Sequence, residues 1–162
     1  MKKLLSILMS LGLILILVGC GSQETVSSNS QETATFIQKK ELAEFFVTYT
    51  YDKNKDTVSK LKIESTESAE ISAGRKENEE LFATLKGIDG VVTSITEKDG
   101  KLISSVEVDL TKYKLSEIKE SNNAILAGLL QSGFLIEDGD HVSFSKSKEG
   151  ALKRGMTEQT KK

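Results

Sequence analysis

The chain has 162 residues, with 24 acidic and 22 basic side chains, no proline, no tryptophan and one cysteine. That length suits a single domain, and one cysteine excludes an intramolecular disulfide framework. The acidic balance argues against a nucleic-acid partner, which needs a basic face.

Lys2 and Lys3 precede an apolar run from Leu4 to Val18. As a helix this run extends about 22 Å, short of the roughly 30 Å hydrocarbon core of a bilayer. The pattern is therefore a secretory signal over residues 1–19 and not a permanent span. It closes on Leu17-Val18-Gly19-Cys20, which resembles the lipobox of bacterial lipoprotein precursors. The resemblance implies that the Cys20 sulfur takes a diacylglyceryl group, with acyl chains of the palmitate type, and that a peptidase cuts between Gly19 and Cys20. An ordinary signal peptide with a chance cysteine is the alternative. Two acyl chains hold stably where one binds marginally, each buried CH2 contributing about 0.8 kcal/mol. The expectation is an exported protein, anchored to the cell membrane through Cys20 and facing outside the cytoplasm. Loss of the two signal lysines leaves 20 basic against 24 acidic side chains, a net charge of −4.

After Cys20, the stretch from Gly21 to Thr33 is Ser, Gln, Glu, Thr and Asn with a single valine, too polar to build a core. It reads as a disordered tether with a reach of about 20 Å. The folded domain is expected from Ala34 to Lys162, beginning with a short strand over Ala34–Gln38. Next, Phe45, Val47, Tyr49 and Tyr51 alternate with Phe46, Thr48 and Thr50, the period of a strand. Turn formers follow at Asp52–Asp56, and Thr57–Thr66 alternates again, which predicts a hairpin. Leu81, Phe82, Leu85 and Ile88 recur at helical spacing, so a helix is predicted over Arg75–Lys86, with Glu77, Glu79 and Glu80 towards its N-terminus and Gly87 as its stop.

Asp99-Gly100 is a type I′ turn signal between two alternating runs. Closing on it opposes Lys98 to Lys101 and collects Val91, Ile95, Leu102, Val106 and Val108 on one face. Ser105 and Glu107 fall on the other, where an added acid should stay solvated. After Leu115 the apolar spacing predicts one helix ending near Ser132-Gly133. A last helix is expected over Phe144–Arg154, with Ser143 as N-cap and Gly155 as stop, although Gly150 inside it argues against helix. The fold class is α+β: an antiparallel sheet of about five strands, two hairpins plus a short N-terminal strand, with two or three helices on one face.

Thr48-Tyr49-Thr50-Tyr51, Leu85-Lys86-Gly87-Ile88-Asp89-Gly90, Val108-Asp109-Leu110-Thr111-Lys112-Tyr113 and the stretch from Val142-Ser143-Phe144 to Gly155-Met156 together resemble the YehR-like lipoproteins, over nearly all of Thr35 to Gln159. The resemblance implies an α+β domain with helices against an antiparallel sheet, and a family without an assigned activity.

Chemistry-bearing groups are few. His141 follows Glu137-Asp138-Gly139-Asp140, and an imidazole beside acids could ligate a metal or serve a hydrolase, but the spacing is not that of a calcium loop and nothing marks a nucleophile. A solvated turn is the plainer reading. Tyr49 and Tyr51 share one strand face and could form a stacking platform for a ligand; core packing explains them equally. Lys39, Lys40, Lys53 and Lys55 could meet anions, yet Glu41, Asp52 and Asp56 interleave with them as on an ordinary mixed surface. No phosphate loop, paired-histidine motif or CxxC is present, so no catalytic residue, metal or cofactor is expected. The reading is a small non-catalytic module that binds an envelope protein or ligand, with a hydrolase or metal-binding protein using His141 as the alternative.

Overall fold

The computed structural model describes residues 30–68 and 72–159. The signal run, Gly19, Cys20 and most of the expected tether lie outside the described residues. The chain opens with three strands in sequence, β1 (Gln31–Lys39), β2 (Ala43–Asp52) and β3 (Thr57–Ser68), then α1 (Ser72–Ala83) and the hairpin β4 (Val91–Lys98) and β5 (Lys101–Asp109). Two short helices come next, α2 (Leu115–Glu120) and α3 (Ala124–Gln131), then the small ladder β6 (Glu137–Asp138) and β7 (His141–Val142), α4 (Phe144–Lys153) and β8 (Thr157–Glu158).

The main sheet has six strands in the order β4-β5-β3-β2-β1-β8, each paired antiparallel to its neighbours. Period two sorts the side chains by face. Ala34 and Phe36 of β1, Val47 and Tyr49 of β2, Leu61 of β3, and Val106 and Val108 of β5 stand on one face, in one core with Leu85, Ile118, Leu126, Leu129, Phe144 and Ala151 from the helices and their connections. The opposite face carries Thr33, Lys60, Val92 and Ser94 in the open. A sheet covered on one side only is thus what the alternation demanded. Asp99 and Gly100 both have positive φ, 52° and 71°, as a type I′ turn requires, and Lys98 opposes Lys101.

Several elements depart from the sequence pattern. Gln31–Thr33 belong to β1, facing Thr50–Asp52, so order begins before Ala34. Backbone pairing and an ion pair between Glu32 and Lys53, 3.1 Å apart, do there what apolar side chains do elsewhere. The sixth strand, β8, has no counterpart among the expected elements; two residues give no readable period. α1 starts three residues before Arg75 and ends at Ala83, after which turns lead to Gly87 at φ +86°. The single helix expected after Leu115 is two, because the Asn123 side chain accepts the Ile125 and Leu126 amides at 3.0 and 3.4 Å and starts a new helix. Among the described residues four helices therefore stand where two or three were expected.

Gly150 sits inside α4 for a packing reason. A Cβ there would lie 2.3 Å from the Gly133 carbonyl oxygen and 3.0 Å from Ile136 Cδ1. Only a glycine lets α4 lie this close to the loop after α3.

Ser105 corrects the expectation of a freely solvated face. It is only 8% exposed, with its hydroxyl 2.9 Å from that of Ser94, because β5 is an interior strand flanked on both sides; Glu64 stands directly opposite it on β3. An acid at this position meets a like charge and breaks a hydroxyl pair. We therefore expect Val106→Asp to destabilise by more than about 3 kcal/mol, since it loses valine burial and desolvates a carboxylate. Ser105→Asp should cost about 1 to 2 kcal/mol, and Thr96→Asp, on the exposed edge strand, within about 0.5 kcal/mol. Urea midpoints in that order support the register; equal midpoints for Val106→Asp and Ser105→Asp would overturn it.

Candidate ligand site and the His141 region

The tyrosine pair does not form an open platform. Tyr49 is fully buried, packed edge-on between the Phe36 and Phe144 rings at 5.8 Å from each. Its hydroxyl donates to the Phe134 carbonyl at 2.9 Å, and burial pushes its pKa well above the ordinary tyrosine value. Tyr51 is half-buried and stacked on Phe144, centroids 3.5 Å apart, with its hydroxyl donating to Glu32 at 3.0 Å. Burial, then the Glu32 carboxylate, raise its pKa as well. Tyr49 thus belongs to the core, and one face of the Tyr51 ring is covered by Phe144.

His141 lies at the edge of a hollow of about 510 Å³, with Thr57, Leu115 and Lys119 among its walls. Its Nδ1 is 3.4 Å from Asp140, whose side chain is fully in solvent, a loose contact that orients nothing. The nearby hydroxyl that could suggest a nucleophile, Ser143, is fully buried and engaged. It donates to Asp56 Oδ2 at 2.5 Å and caps α4 by accepting the Lys146 amide at 3.2 Å. Ser145 gives the same carboxylate its hydroxyl at 2.7 Å and its amide at 2.8 Å. Asp56 is thus an anion placed at a helix N-terminus, where orphan amides and the helix dipole favour it. Among the described residues no three His, Cys, Asp or Glu side chains gather as a metal site.

A second cavity, of about 350 Å³, lies at the other end of the helix-covered face. Val47 and Ile63 line its sheet side, and Met156 closes it behind α4. Phe45 of β2 and Phe134 of the loop after α3 are its aromatic walls. Each wall carries a cation: Lys40 Nζ stands 5.2 Å from the Phe45 ring centre and the Arg154 guanidinium 5.5 Å from that of Phe134. Gln38 donates its side-chain amide to the Arg154 carbonyl at 2.9 Å, which fixes the end of α4 against β1. The buried Tyr49 hydroxyl holds the backbone of Phe134 in the same way.

Sequence alone singles out neither Phe134 nor Arg154, and reads Lys40 and Phe45 as surface and strand. Lys40 and Phe45 are separated from Phe134 and Arg154 by some 90 to 110 residues, so no local motif could join them. A cavity this size, apolar with a few convergent polar groups, has the form of a small-molecule site.

The geometry defines a class: an α+β domain whose single covered sheet face ends in an aromatic, cation-rimmed cavity. Residues 32–157 match the family described as "Protein of unknown function (DUF1307)", and the chain belongs to that family, the YehR-like lipoproteins. It is 31% identical to the uncharacterized lipoprotein Lmo0207 of Listeria monocytogenes over 85% of this chain and 88% of that one. A second relative, the uncharacterized lipoprotein Lin0239 of Listeria innocua, is 29% identical over 88% and 91%. The fold is shared with a protein from Streptococcus pneumoniae solved by NMR, with a TM-score of 0.60, 15% identity, and 93% of this chain and 98% of that one covered. It is shared too with the NMR structure of E. coli YehR, with a TM-score of 0.53, 20% identity, and 79% and 90% covered.

The Asp56 clamp carries a pH signature. Burial alone would raise its pKa, but the hydrogen bonds from Ser143 and Ser145 outweigh it and hold the carboxyl below its usual range. A depressed folded value means a contribution that is complete above the unfolded pKa of about 3.9 and is lost as pH falls through the folded one. Asp56→Asn should therefore cost about 1 to 2 kcal/mol at neutral pH, a range set by helix caps and reduced for partial exposure. The gap between parent and variant should close below about pH 4. A gap unchanged down to strong acid, measured by urea denaturation across pH, would show that the carboxylate charge is not what holds α4.

Proposed function

We propose that this protein is a small non-catalytic binding module, held on the outer side of the cell membrane by a lipid on Cys20, and that the cavity between Phe45 and Phe134 is where it binds. The observation that carries the reading is the position and make-up of that cavity: apolar floor, aromatic walls, two convergent cations, and a lining that does not include His141. The anchor rests on the Leu17-Val18-Gly19-Cys20 signature and on relatives that are themselves named lipoproteins. Among the described residues no helix is long and apolar enough to cross a membrane.

The chain enters the sheet at Gln31, whereas the cavity touches β1 at Gln38. At about 3.3 Å per residue, the mouth lies roughly 23 Å along the strand from the tethered end. A ligand arriving from the envelope has access to it.

The hollow at His141 favours the second reading, a hydrolase. Against it stand the loose His141–Asp140 contact and the use of Ser143 as a buried cap. A catalytic pair is held by a third group, and no such arrangement is built around His141 among the described residues.

Two measurements test the proposal. Cys20→Ala should shift the protein out of the detergent-rich phase on phase partitioning; identical partitioning of parent and variant would remove the anchor. A photo-reactive phenylalanine analogue at Phe45 should form adducts in intact cells, while the same group at Asp140 should form none. Adducts from Asp140 alone would move the function to the His141 hollow.

A further inference from the structure

We infer that the ligand of the Phe45–Phe134 cavity is an amphiphilic anion: one carboxylate or phosphate group on a compact apolar body. The inference rests on the proposed reading of this cavity as the binding site, and adds the charge and shape of what it takes.

The charge argument is a contrast between neighbours. The basic side chains nearest Lys40 and Arg154 in the chain and on α4 are paired: Lys39 with Glu44 at 2.7 Å, Lys148 with Glu158 at 2.6 Å and Lys153 with Glu149 at 3.6 Å. Among the described residues, Lys40 and Arg154 have no such carboxylate. Each lies instead over an aromatic wall, and none of the side chains lining the cavity is acidic. The chain as a whole is net negative at −2. A site with two unneutralised cations and no acid, in an acidic protein, is therefore a local positive focus. A cationic ligand would be repelled. A neutral one would cover both charges and return nothing for their lost hydration. An anion gains a charge-assisted contact from each, and the guanidinium offers a planar fork to a carboxylate or phosphate.

The shape argument comes from the lining. Val47, Ile63 and Met156 provide only apolar surface, and Phe45 and Phe134 provide ring faces. A small hydrophilic anion such as free inorganic phosphate would leave that surface wet and unused. The volume, about 350 Å³, lies at the low end of small-molecule sites, roughly 300 to 1,000 Å³. It accommodates a short acyl chain or a single ring system and not a two-chain lipid. The cation–π contacts also set the geometry, since they place both charges at the aromatic rim with the apolar floor between and beneath them.

The full chain, purified from membranes into phosphatidylcholine nanodiscs, is titrated by calorimetry with octanoate, octyl phosphate, octanol and octylammonium, using empty nanodiscs as the blank. At least one of the two anions should bind at least about tenfold tighter than octanol and octylammonium, and which anion is preferred separates a carboxylate from a phosphate source. Lys40→Gln combined with Arg154→Gln should reduce that preference to about twofold or less; both side chains are exposed, and an unchanged melting temperature confirms that the variant folds. Octanol binding as tightly as the anions, or octylammonium binding best, overturns the anion inference and leaves the cavity as a binding site. A preference for the anions that survives in the double variant also overturns it, since the charge read would lie elsewhere. Binding of none of the four probes to the parent overturns both the inference and the reading on which it rests.

Discussion

The structure turns on one carboxylate. Asp56 ends the turn between β2 and β3 in a left-handed conformation, φ +52°, and accepts three hydrogen bonds from Ser143 and Ser145 at the start of α4. Its backbone carbonyl accepts the Phe144 amide at 2.9 Å, and Thr57 forms a bridge with Ser143. The first hairpin and the last helix are thereby joined across almost 90 residues of chain. This junction has geometric consequences along the whole sheet. Phe144 is delivered onto Tyr49 and Tyr51, and α4, whose ten residues span about 15 Å, runs from the clamp towards the far end of the sheet. There Gln38 donates to the Arg154 carbonyl, and the guanidinium reaches Phe134. One anion at the N-terminus of a helix decides where a cation sits beyond its C-terminus.

The helices need such external fixing. They are six to twelve residues long, and isolated helices below about 12 to 15 residues are marginal in water. Each is therefore held by something outside itself. The side chain of Asn123 caps α3 and also donates to Thr84 Oγ1 at 2.8 Å, tying α3 to the end of the α1 region. The Glu117 carboxylate accepts the Lys114 backbone amide at 2.6 Å, which fixes the start of α2. Gly150 lets α4 settle against the Gly133 carbonyl. The sheet provides the fixed surface, and its uncovered face is stabilised by hydroxyl pairs, Thr35 with Thr48 at 3.0 Å and Ser94 with Ser105 at 2.9 Å. Such pairs satisfy polar groups without help from a helix.

The same organisation explains the contrast between the two hollows. Near His141 the polar groups are spent on structure: Ser143 and Asp56 on the clamp, Lys119 on Glu137 at 2.6 Å. At the other end of the covered face the walls are positioned by hydrogen bonds from the core and from β1. Tyr49 holds Phe134 from within the core, and Gln38 holds Arg154 from β1. Lys40 and Arg154 stand over the two aromatic walls without a carboxylate partner among the described residues.

Features that depend on neighbours along the chain are legible in the order of residues. The Asp99-Gly100 turn and the register it imposes, the alternation of β2, β3, β4 and β5, the Ser143 cap and the α+β class are all of this kind, because turn dihedrals, period two and capping are fixed within a few residues. The expectation for Cys20 is linear in the same way. Folding in three dimensions decides the rest. Tyr49 and Tyr51 look alike in sequence, and only the arrival of Phe144 and the Phe134 carbonyl makes Tyr49 a core residue. Gly150 reads as a helix breaker until Gly133 is seen beside it. Ser105 reads as solvated until β3 and β4 close on both sides of it. The cavity is the extreme case, since its two aromatic walls and two cations come from segments that meet only because the Asp56 clamp aims α4 across the sheet, and a contact made by folding leaves no pattern in the local order of residues.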